Sequence, residues 1–349
     1  MYNSFSLKKI HAEISTHCNA SCPMCSRNIN GGPLNPKLDP THMSFATFAT
    51  VFPEEILRSM KELSLCGNYG DPLMNPDLDE ILYYIKQKNP DIFLEIHTNA
   101  SMRDTDWWVN LPGNLPKNHL VHFAIDGLKD THSLYRVGTN FDKIMLNARN
   151  FIGNDGKARG TFIKFKHNEH QTEDVKQLVN EYQFQSFQEK QTSRFTGTEK
   201  FEVINKNGNT ERFLEQPTEA VVKFIPKSVI DNYKDYLKDV TIDCQVERES
   251  SVYVDVHGDV YPCCWVGAIP YTYYTDRTIG KEFLEDNQQQ YKDMVIKQGD
   301  ISALNRTIFE IINSIKWQDA WQEKTLLTCS KVCGKNTSSE QFINLDSFQ

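Results

Sequence analysis

Three cysteines near the start of the chain carry the clearest chemistry. Cys18, Cys22 and Cys25 fall within eight residues of the segment STHCNASCPMCSR. The preceding segment KKIHAEIST alternates apolar and polar residues, which predicts a strand and places the cysteines on the loop that leaves it. Three thiolates spaced C-x3-C-x2-C can wrap one small metal centre. Structural zinc takes four ligands and an iron–sulfur cubane usually takes four cysteines, so the odd number indicates a cubane with one iron open to another molecule.

Two other interpretations of these cysteines remain open at this point. A zinc ion could be held by the three thiolates together with His17 or His11, because imidazole and thiolate are both good zinc ligands. The three side chains could also be unrelated buried thiols, since free cysteine is among the most buried residue types.

Composition limits the classes of protein to consider. The chain has 349 residues, 39% hydrophobic residues and a formal net charge of −8. That size predicts one large domain and a smaller one, and the negative charge argues against a broad nucleic-acid surface. We find no apolar run of the roughly 20 residues that span a bilayer and no secretory signal at the start. We therefore expect a cytoplasmic protein, in which nine cysteines indicate metal or redox chemistry rather than disulfides.

The first half of the chain alternates predicted strands with predicted helices. The strand candidates are 8–16, 62–67, 92–98, 120–126 and 160–167, with a weaker sixth near 184–190. The helix candidates are 44–60, 77–88, 104–110, 141–151 and 172–182, with Ser44 and Asp77 as N-caps. This alternation predicts βαβ units and a parallel sheet. Periodicity alone leaves an open sheet and a full or partial barrel as alternatives.

The alternation of predicted strands and helices ends after the sixth strand candidate. Residues 196–240 are polar and contain the turn signal Asn207-Gly208, so we expect a linker, with a hairpin as an option. Two strand-like runs then flank His257-Gly258-Asp259. The predicted division is therefore 1–195, 196–240 and 241–349.

The cysteine loop resembles the signature of the radical S-adenosylmethionine (SAM) enzymes. In that family three cysteines of the loop after the first strand hold a [4Fe–4S] cluster, and the open iron binds SAM. The resemblance implies a partial (β/α)6 barrel, here at 1–195, with Cys18, Cys22 and Cys25 as cluster ligands. The residue before the third cysteine is often aromatic in the family and is Met24 here. Its backbone is the position expected to contact the adenine.

Further segments match the family in order along the chain. Tyr69-Gly70-Asp71-Pro72 resembles the Gly-Gly-Glu-Pro motif beside the SAM ammonium, with tyrosine and aspartate as departures. The resemblance implies SAM, ribose or pocket contacts for residues that follow later strands, with a salt bridge or local loop structure as the alternative for each. These residues are Asn99, Asp126, His167, Asn168 and Arg194.

A second set of cysteines resembles the auxiliary-cluster domain appended to many radical SAM enzymes. Its truncated form, called twitch, holds one cubane on four cysteines, whereas the full form (SPASM) has about seven. The implied ligands here are Cys244, Cys263, Cys329 and Cys333. A structural zinc would suit the same four thiolates.

Two thiols are left over from both cysteine sets. The spacing Gly258-x4-Cys263 favours Cys263 over its neighbour Cys264 as a cluster ligand. Cys264 and Cys66 are expected to be buried thiols, and a pocket role for Cys66 is the alternative.

The resemblance implies an enzyme that cleaves SAM reductively to a 5′-deoxyadenosyl radical, with flavodoxin or ferredoxin as electron donor. We expect a small metabolite, such as a sugar or a nucleotide-linked alcohol, to be oxidised or epimerised. The alternative is a ribosomal peptide delivered by a partner, because peptide modifiers often carry an N-terminal peptide-binding domain that this chain does not show. A zinc-stabilised binding module without catalysis is the alternative from another class.

Overall fold

The computed structural model describes residues 7–192, 194–195, 199–220, 232, 234–235, 240–273, 281–314 and 327–335. Its main feature is an eight-stranded sheet with the order β11-β10-β1-β2-β3-β4-β5-β6. The strands are β1 (Lys9–Ala12), β2 (Glu62–Leu65), β3 (Phe93–Thr98), β4 (Asn118–Ala124), β5 (Ala158–Lys164), β6 (Ser186–Gln191), β7 (Lys200–Ile204), β8 (Thr210–Glu215), β9 (Thr241–Ile242), β10 (Ser251–Val254), β11 (Val260–Tyr261) and β12 (Gly334–Lys335). All pairings from β10 to β6 are parallel, and only β11 runs antiparallel. The predicted parallel α/β sheet is confirmed, including its weak sixth strand.

Helices connect the strands as predicted. They are α1 (Phe45–Val51), α2 (Glu54–Ser59), α3 (Leu78–Lys88), α4 (Thr105–Asn114), α5 (His132–Tyr135), α6 (Phe141–Ile152) and α7 (Thr172–Glu181). Further helices in the C-terminal part are Gln245–Glu249, Cys264–Gly267, Lys281–Gln298, Ile308–Asn313 and Leu327–Cys333. None of the described helices combines the length and apolar composition that crossing a bilayer requires.

The predicted helix at 44–60 is wrong as a single element. It divides into α1 and α2 at Pro53, because proline lacks the N–H that would continue the helix. Ser44 caps α1 as predicted, accepting from the Thr47 N–H at 3.1 Å. Asp77 occupies the N-cap position of α3 without capping it. Its carboxylate instead accepts from the Phe45 N–H at 2.8 Å, which ties the two helices together.

The two faces of the sheet differ in chemistry. On one face alternate residues such as Ile10, Leu63, Ile96 and Phe123 join residues of the helices in one apolar core. The intervening residues face the other way, since side chains alternate along a strand. These are mostly polar, and we call them the polar face: His11, Ser64, Glu95, His97, His122, Arg159 and Lys190.

Two hairpins from the second half of the chain contact the first strand and the cysteine loop. β10 pairs in parallel with β1 and continues into β11 around the turn at Gly258, as the turn signal predicted. The other hairpin, β7–β8, lies inside the segment predicted as a linker. It packs on the cysteine loop, where the Ile204 N–H donates to the Asn30 carbonyl at 3.0 Å. The division of the chain at 195 and 241 stays a prediction.

Candidate active site

The loop that follows β1 brings its three cysteines into one apolar cluster. Cys22 is 7% exposed, and Cys18 and Cys25 are half-buried beside it. The Cys25 N–H donates to the Cys22 carbonyl at 3.0 Å, and the Ala20 N–H donates to the Cys18 sulfur at 3.4 Å. Aromatic residues of the strand-end loops and of β7 surround the cluster: Tyr135, Phe165, Phe195 and Phe201. The three sulfurs are thus grouped in a largely dry setting.

The electrostatics of this loop fit an iron–sulfur cluster. Burial raises the pKa of Cys22 to about 11 and raises that of Cys18 further, and the neighbouring thiols add to both shifts. Bare thiolates are therefore costly here, and a bound metal centre would offset that cost. Donors already face the sulfurs, because Asn99 Nδ2 lies 3.6 Å from Cys18 Sγ and Arg136 Nη1 lies 3.8 Å from Cys22 Sγ. Such contacts stabilise negative charge on cluster sulfur.

Arg136 is the main residue of this site that the sequence did not indicate. It belongs to no recognisable motif, and only the fold brings it to the loop. Its Nε donates to the carboxylate of Asp126, which is fully buried and also accepts from the Ile163 N–H at 2.5 Å. Burial would lower the pKa of Arg136, but Asp126 and Cys22 raise it above its ordinary value. The ligand contact predicted for Asp126 stays a prediction, and within the protein its oxygens accept from Arg136 and from the Ile163 N–H.

The Tyr69-Gly70-Asp71-Pro72 segment forms the loop after β2 and fixes the start of the cysteine loop. A Cβ on Gly70 would lie 1.9 Å from the Ser15 carbonyl oxygen, so only glycine fits. The Asp71 carboxylate accepts from the N–H groups of Leu73 and Asn99 and from the Thr98 hydroxyl at 2.8–3.1 Å. Burial raises the pKa of Asp71 to about 6. The segment therefore joins three loops at the carboxyl end of the sheet.

Glu13 is a second residue that the sequence analysis missed. It follows β1, and its carboxylate accepts from the N–H groups of Tyr69 (2.8 Å) and Gly70 (3.1 Å) and from the Tyr253 hydroxyl (2.5 Å). It is 1% exposed, and burial raises its pKa to about 7. The sequence offers no signal for it, because Glu13 occupies a regular polar position in the alternation of KKIHAEIST.

The remaining predicted site residues lie around the same loops. Arg194 donates to the Met24 carbonyl, so both lie at the cysteine loop. Asn168 is fully buried and bonds to Phe165, Ile163 and Asp126, which gives it a structural role. His167 stacks on Phe165, and its buried Nε2 has no hydrogen-bond partner among the described residues.

The second set of cysteines also comes together. Cys244 is hydrogen-bonded to Cys333, and Cys263 lies close enough to Cys333 for their charges to interact. Cys329 is 7% exposed and packs in the same apolar cluster as Cys244 and Cys263.

Cys264 packs on the same apolar cluster as Cys244 and Cys263, and its thiol interacts with that of Cys263. It also interacts with Cys66 and Glu13, and its carbonyl accepts from Asn68 Nδ2 at 2.8 Å. The two leftover thiols of the sequence analysis therefore lie close enough to interact, next to the second cysteine set.

Several solved structures resemble the fold of this chain. No protein-family model matches the chain, and no curated protein matches it. Solved structures do match. For anSMEcpe with bound AdoMet (that is, SAM) the TM-score is 0.52 at 16% identity, over 95% of this chain and 88% of that one. For anSMEcpe with AdoMet and the Kp18Cys peptide the values are 0.50, 16%, 96% and 92%.

A third match is SuiB of Streptococcus suis bound to precursor peptide SuiA, with a TM-score of 0.50 at 14% identity. The match covers 80% of this chain and 64% of SuiB, so the chain spans less than two thirds of that protein's length. At these identities the likeness concerns the fold. The parallel sheet and its connecting helices thus share the fold of the AdoMet-bound anSMEcpe structures.

Proposed function

We propose that the protein is a radical SAM enzyme that generates a 5′-deoxyadenosyl radical and abstracts a hydrogen atom from its substrate. The observation that carries the proposal is the set of three grouped cysteines on the loop after β1, faced by Arg136 and Asn99. The likeness of the fold to AdoMet-bound structures supports it. Cys18, Cys22 and Cys25 would hold the [4Fe–4S] cluster, which when bound supplies the electron that cleaves SAM.

Residues of this chain hold the cysteine loop in place and shield it from water. Arg136 and Asn99 donate toward the sulfurs, which stabilises their negative charge. Asp71, Asn99 and Gly70 fix the neighbouring loops, so the cysteines are held in place before any ligand binds. The aromatic side chains around the loop exclude water, which strengthens electrostatic contacts inside the site.

SAM contacts follow from the resemblance and the loop positions. The residues in question are Met24, Tyr69, Gly70, Asp71, Pro72, Asn99, Asp126 and Arg194, with His167 and Asn168 as pocket candidates. Of these, His167 has a buried nitrogen without a partner among the described residues, so it is the best placed to meet a ligand.

The four cysteines Cys244, Cys263, Cys329 and Cys333 would hold an auxiliary [4Fe–4S] cluster, in a twitch-like domain at about 241–349. Their convergence in one apolar cluster supports this assignment. An auxiliary cluster can accept an electron from a substrate radical, which makes a net two-electron oxidation possible.

For the substrate we favour a small polar metabolite, such as a sugar or a nucleotide-linked alcohol, oxidised or epimerised. The polar face of the sheet supports a substrate with hydrogen-bonding groups. A peptide is the second candidate, because the SuiB and anSMEcpe structures contain peptides. Flavodoxin or ferredoxin would supply the electron.

Anaerobic reconstitution tests the proposal. The wild-type chain should bind about eight irons, four per cubane, and should convert SAM to 5′-deoxyadenosine when reduced. The Cys18→Ala/Cys22→Ala/Cys25→Ala variant should keep about four irons and lose the cleavage. SAM cleavage retained in that variant, or a colourless protein that carries zinc in place of iron, would overturn the assignment.

A further inference from the structure

Three side chains on the polar face form a compact group that is not among the proposed cluster ligands or SAM contacts. Glu95 and His97 lie two residues apart on β3, and His122 is the register partner of His97 on β4. The two imidazole rings stack with centroids 3.9 Å apart. One donor atom from each of the three residues lies within 4.8 Å of the other two, a grouping found for no other such trio in the described residues.

The distances within the trio match the spacing around a bound ion. Oxygen and nitrogen ligands about 2.1 Å from one metal lie roughly 3.0–3.5 Å apart at octahedral or tetrahedral angles. His122 Nε2 lies 3.2 Å from Glu95 Oε1, and His97 Nε2 lies 3.8 Å from Glu95 Oε2. The second distance is too long for a hydrogen bond, so only a small adjustment separates the trio from coordination.

The donor types of the trio suit metal binding. Two imidazole nitrogens and one carboxylate converge here, which is the donor set of catalytic zinc and of non-haem iron sites.

A hydrogen-bonded network without metal is the competing explanation. Buried networks of that kind are stable when every member is satisfied. Here His122 Nε2 and Glu95 Oε1 are hydrogen-bonded at 3.2 Å, whereas the buried Nδ1 of His122 has no partner among the described residues. The network is therefore incomplete, although the unpartnered nitrogen lies on the ring edge opposite the one that faces Glu95.

Three cations lie on strands of the same sheet and would oppose an ion. Arg159 is the register partner of His122 on β5, and its Nε donates to the Ser186 hydroxyl at 2.8 Å. Lys190 lies on β6, where burial lowers the pKa of its ammonium group. Lys9 is paired with Glu62 at 2.6 Å. A divalent ion on the carboxylate and two imidazoles is compatible with these partners.

A cavity lies next to the trio on the same face of the sheet. It has a volume of about 420 Å³ at the amino ends of β3–β6 and is lined among others by Phe93, Leu120 and Arg159. Phe93 and Leu120 precede Glu95 and His122 by two residues and share their face of the sheet. The cavity therefore approaches the trio from the end opposite to the cysteine loop, although the three side chains do not line it.

We propose that Glu95, His97 and His122 bind a divalent transition-metal ion, Zn²⁺ or Fe²⁺, with coordination positions left open for water or an oxygen of a small molecule. The site is independent of the two cysteine sets and does not rest on the radical chemistry. A metal ion bound there would hold and polarise an oxygen ligand on the polar face, away from the two cysteine sets.

Metal counting on the reconstituted holoenzyme tests this site. After equilibrium dialysis against micromolar Zn²⁺, wild type should hold one zinc per chain more than Glu95→Gln or His97→Ala. The exposed-histidine variant His170→Ala should match wild type. Iron content and SAM cleavage, measured on the same samples, report on the cysteine sites, so failure of the trio and failure of the radical assignment are distinguishable.

The atoms that coordinate the bound zinc test the proposed site even if a variant fails to fold. X-ray absorption at the zinc edge of the wild-type holoenzyme should show nitrogen and oxygen neighbours at about 2.0–2.1 Å. A sulfur shell at about 2.3 Å would assign the zinc to cysteines and overturn the proposal. Equal zinc in wild type and folded Glu95→Gln would also overturn it, as would absence of zinc from wild type.

Discussion

Arg136 joins Asp126 to the cysteine loop: its Nε donates to the Asp126 carboxylate, and its Nη1 lies 3.8 Å from the Cys22 sulfur. The carboxyl end of β4 is thereby tied to the loop after β1, although 114 residues separate Arg136 from Cys22. One guanidinium therefore serves the fold and the electrostatics of the proposed cluster together.

Removing the Arg136 guanidinium should lower the stability of the fold and change the reduction potential of the proposed cluster. We expect Arg136→Met to lower the free energy of unfolding by about 3–5 kcal/mol, because it leaves Asp126 buried and unpaired. The reduction potential of the cluster should also fall, since a nearby positive charge is lost. Denaturant titration and redox titration measure the two effects. Lys129→Met, which breaks the exposed pair with Asp142, is the control and should cost about 0–1 kcal/mol. Equal losses in the two variants would contradict the prediction.

Gly70 should tolerate no side chain. In Gly70→Ala the new Cβ would meet the Ser15 carbonyl oxygen at 1.9 Å, so the loop must move and SAM binding should weaken at least tenfold, a change of about 1.4 kcal/mol. Equilibrium binding of SAM to the reconstituted protein measures this. Gly113→Ala is the matched control, because nothing lies within 4 Å of its Cβ position inside α4. It should bind SAM normally and be up to about 1 kcal/mol more stable.

Glu13 should make stability depend on pH between about 4.5 and 7. Its pKa in the folded protein is raised to about 7 from 4.5, so the folded state holds a proton that the unfolded state releases. This contribution is complete below pH 4.5 and is lost as the pH rises through 7, on the order of 3 kcal/mol in total. From pH 5 to pH 8, wild type should therefore lose stability relative to Glu13→Gln. Parallel pH curves for the two proteins in denaturant titrations would show that Glu13 is not the source.

The adjacent cysteines of the C-terminal region should differ in iron binding. The thiol of Cys263 interacts with that of Cys333, whereas the thiol of Cys264 interacts with that of Cys66. We expect Cys263→Ala to lower iron from about eight to about four per chain, with Cys264→Ala as the matched control at the wild-type value. Iron analysis after anaerobic reconstitution measures this. Loss of iron in Cys264→Ala alone would reverse the ligand assignment.

The β7–β8 hairpin should protect the cluster from air. Phe201 is 8% exposed and packs with the cysteine loop, whereas Phe213 on the same hairpin is 54% exposed. Phe201→Ala should cost about 3–5 kcal/mol and should speed bleaching of the iron–sulfur absorption in air. Phe213→Ala should bleach at the wild-type rate. The protective role is wrong if both variants bleach equally.

Local patterns in the sequence were sufficient for the strands, most helices and the two cysteine sets. Alternation along KKIHAEIST and its counterparts is a local property, so the parallel sheet could be predicted residue by residue. The C-x3-C-x2-C spacing needs only one loop, and the turn at Gly258 needs only its neighbours. The split at Pro53 was missed although it is local, because the apolar pattern continues across it.

The tertiary structure decided which polar residues act together. Arg136 reaches Cys22, Glu13 meets Tyr253, and Glu95 meets His122 only because parallel strands and their loops align residues far apart in the chain. No regular spacing along the sequence indicates such partners, since they depend on the register and the order of the strands. The physical reason is that a strand fixes which face a side chain occupies, whereas its neighbours on that face are fixed by the sheet.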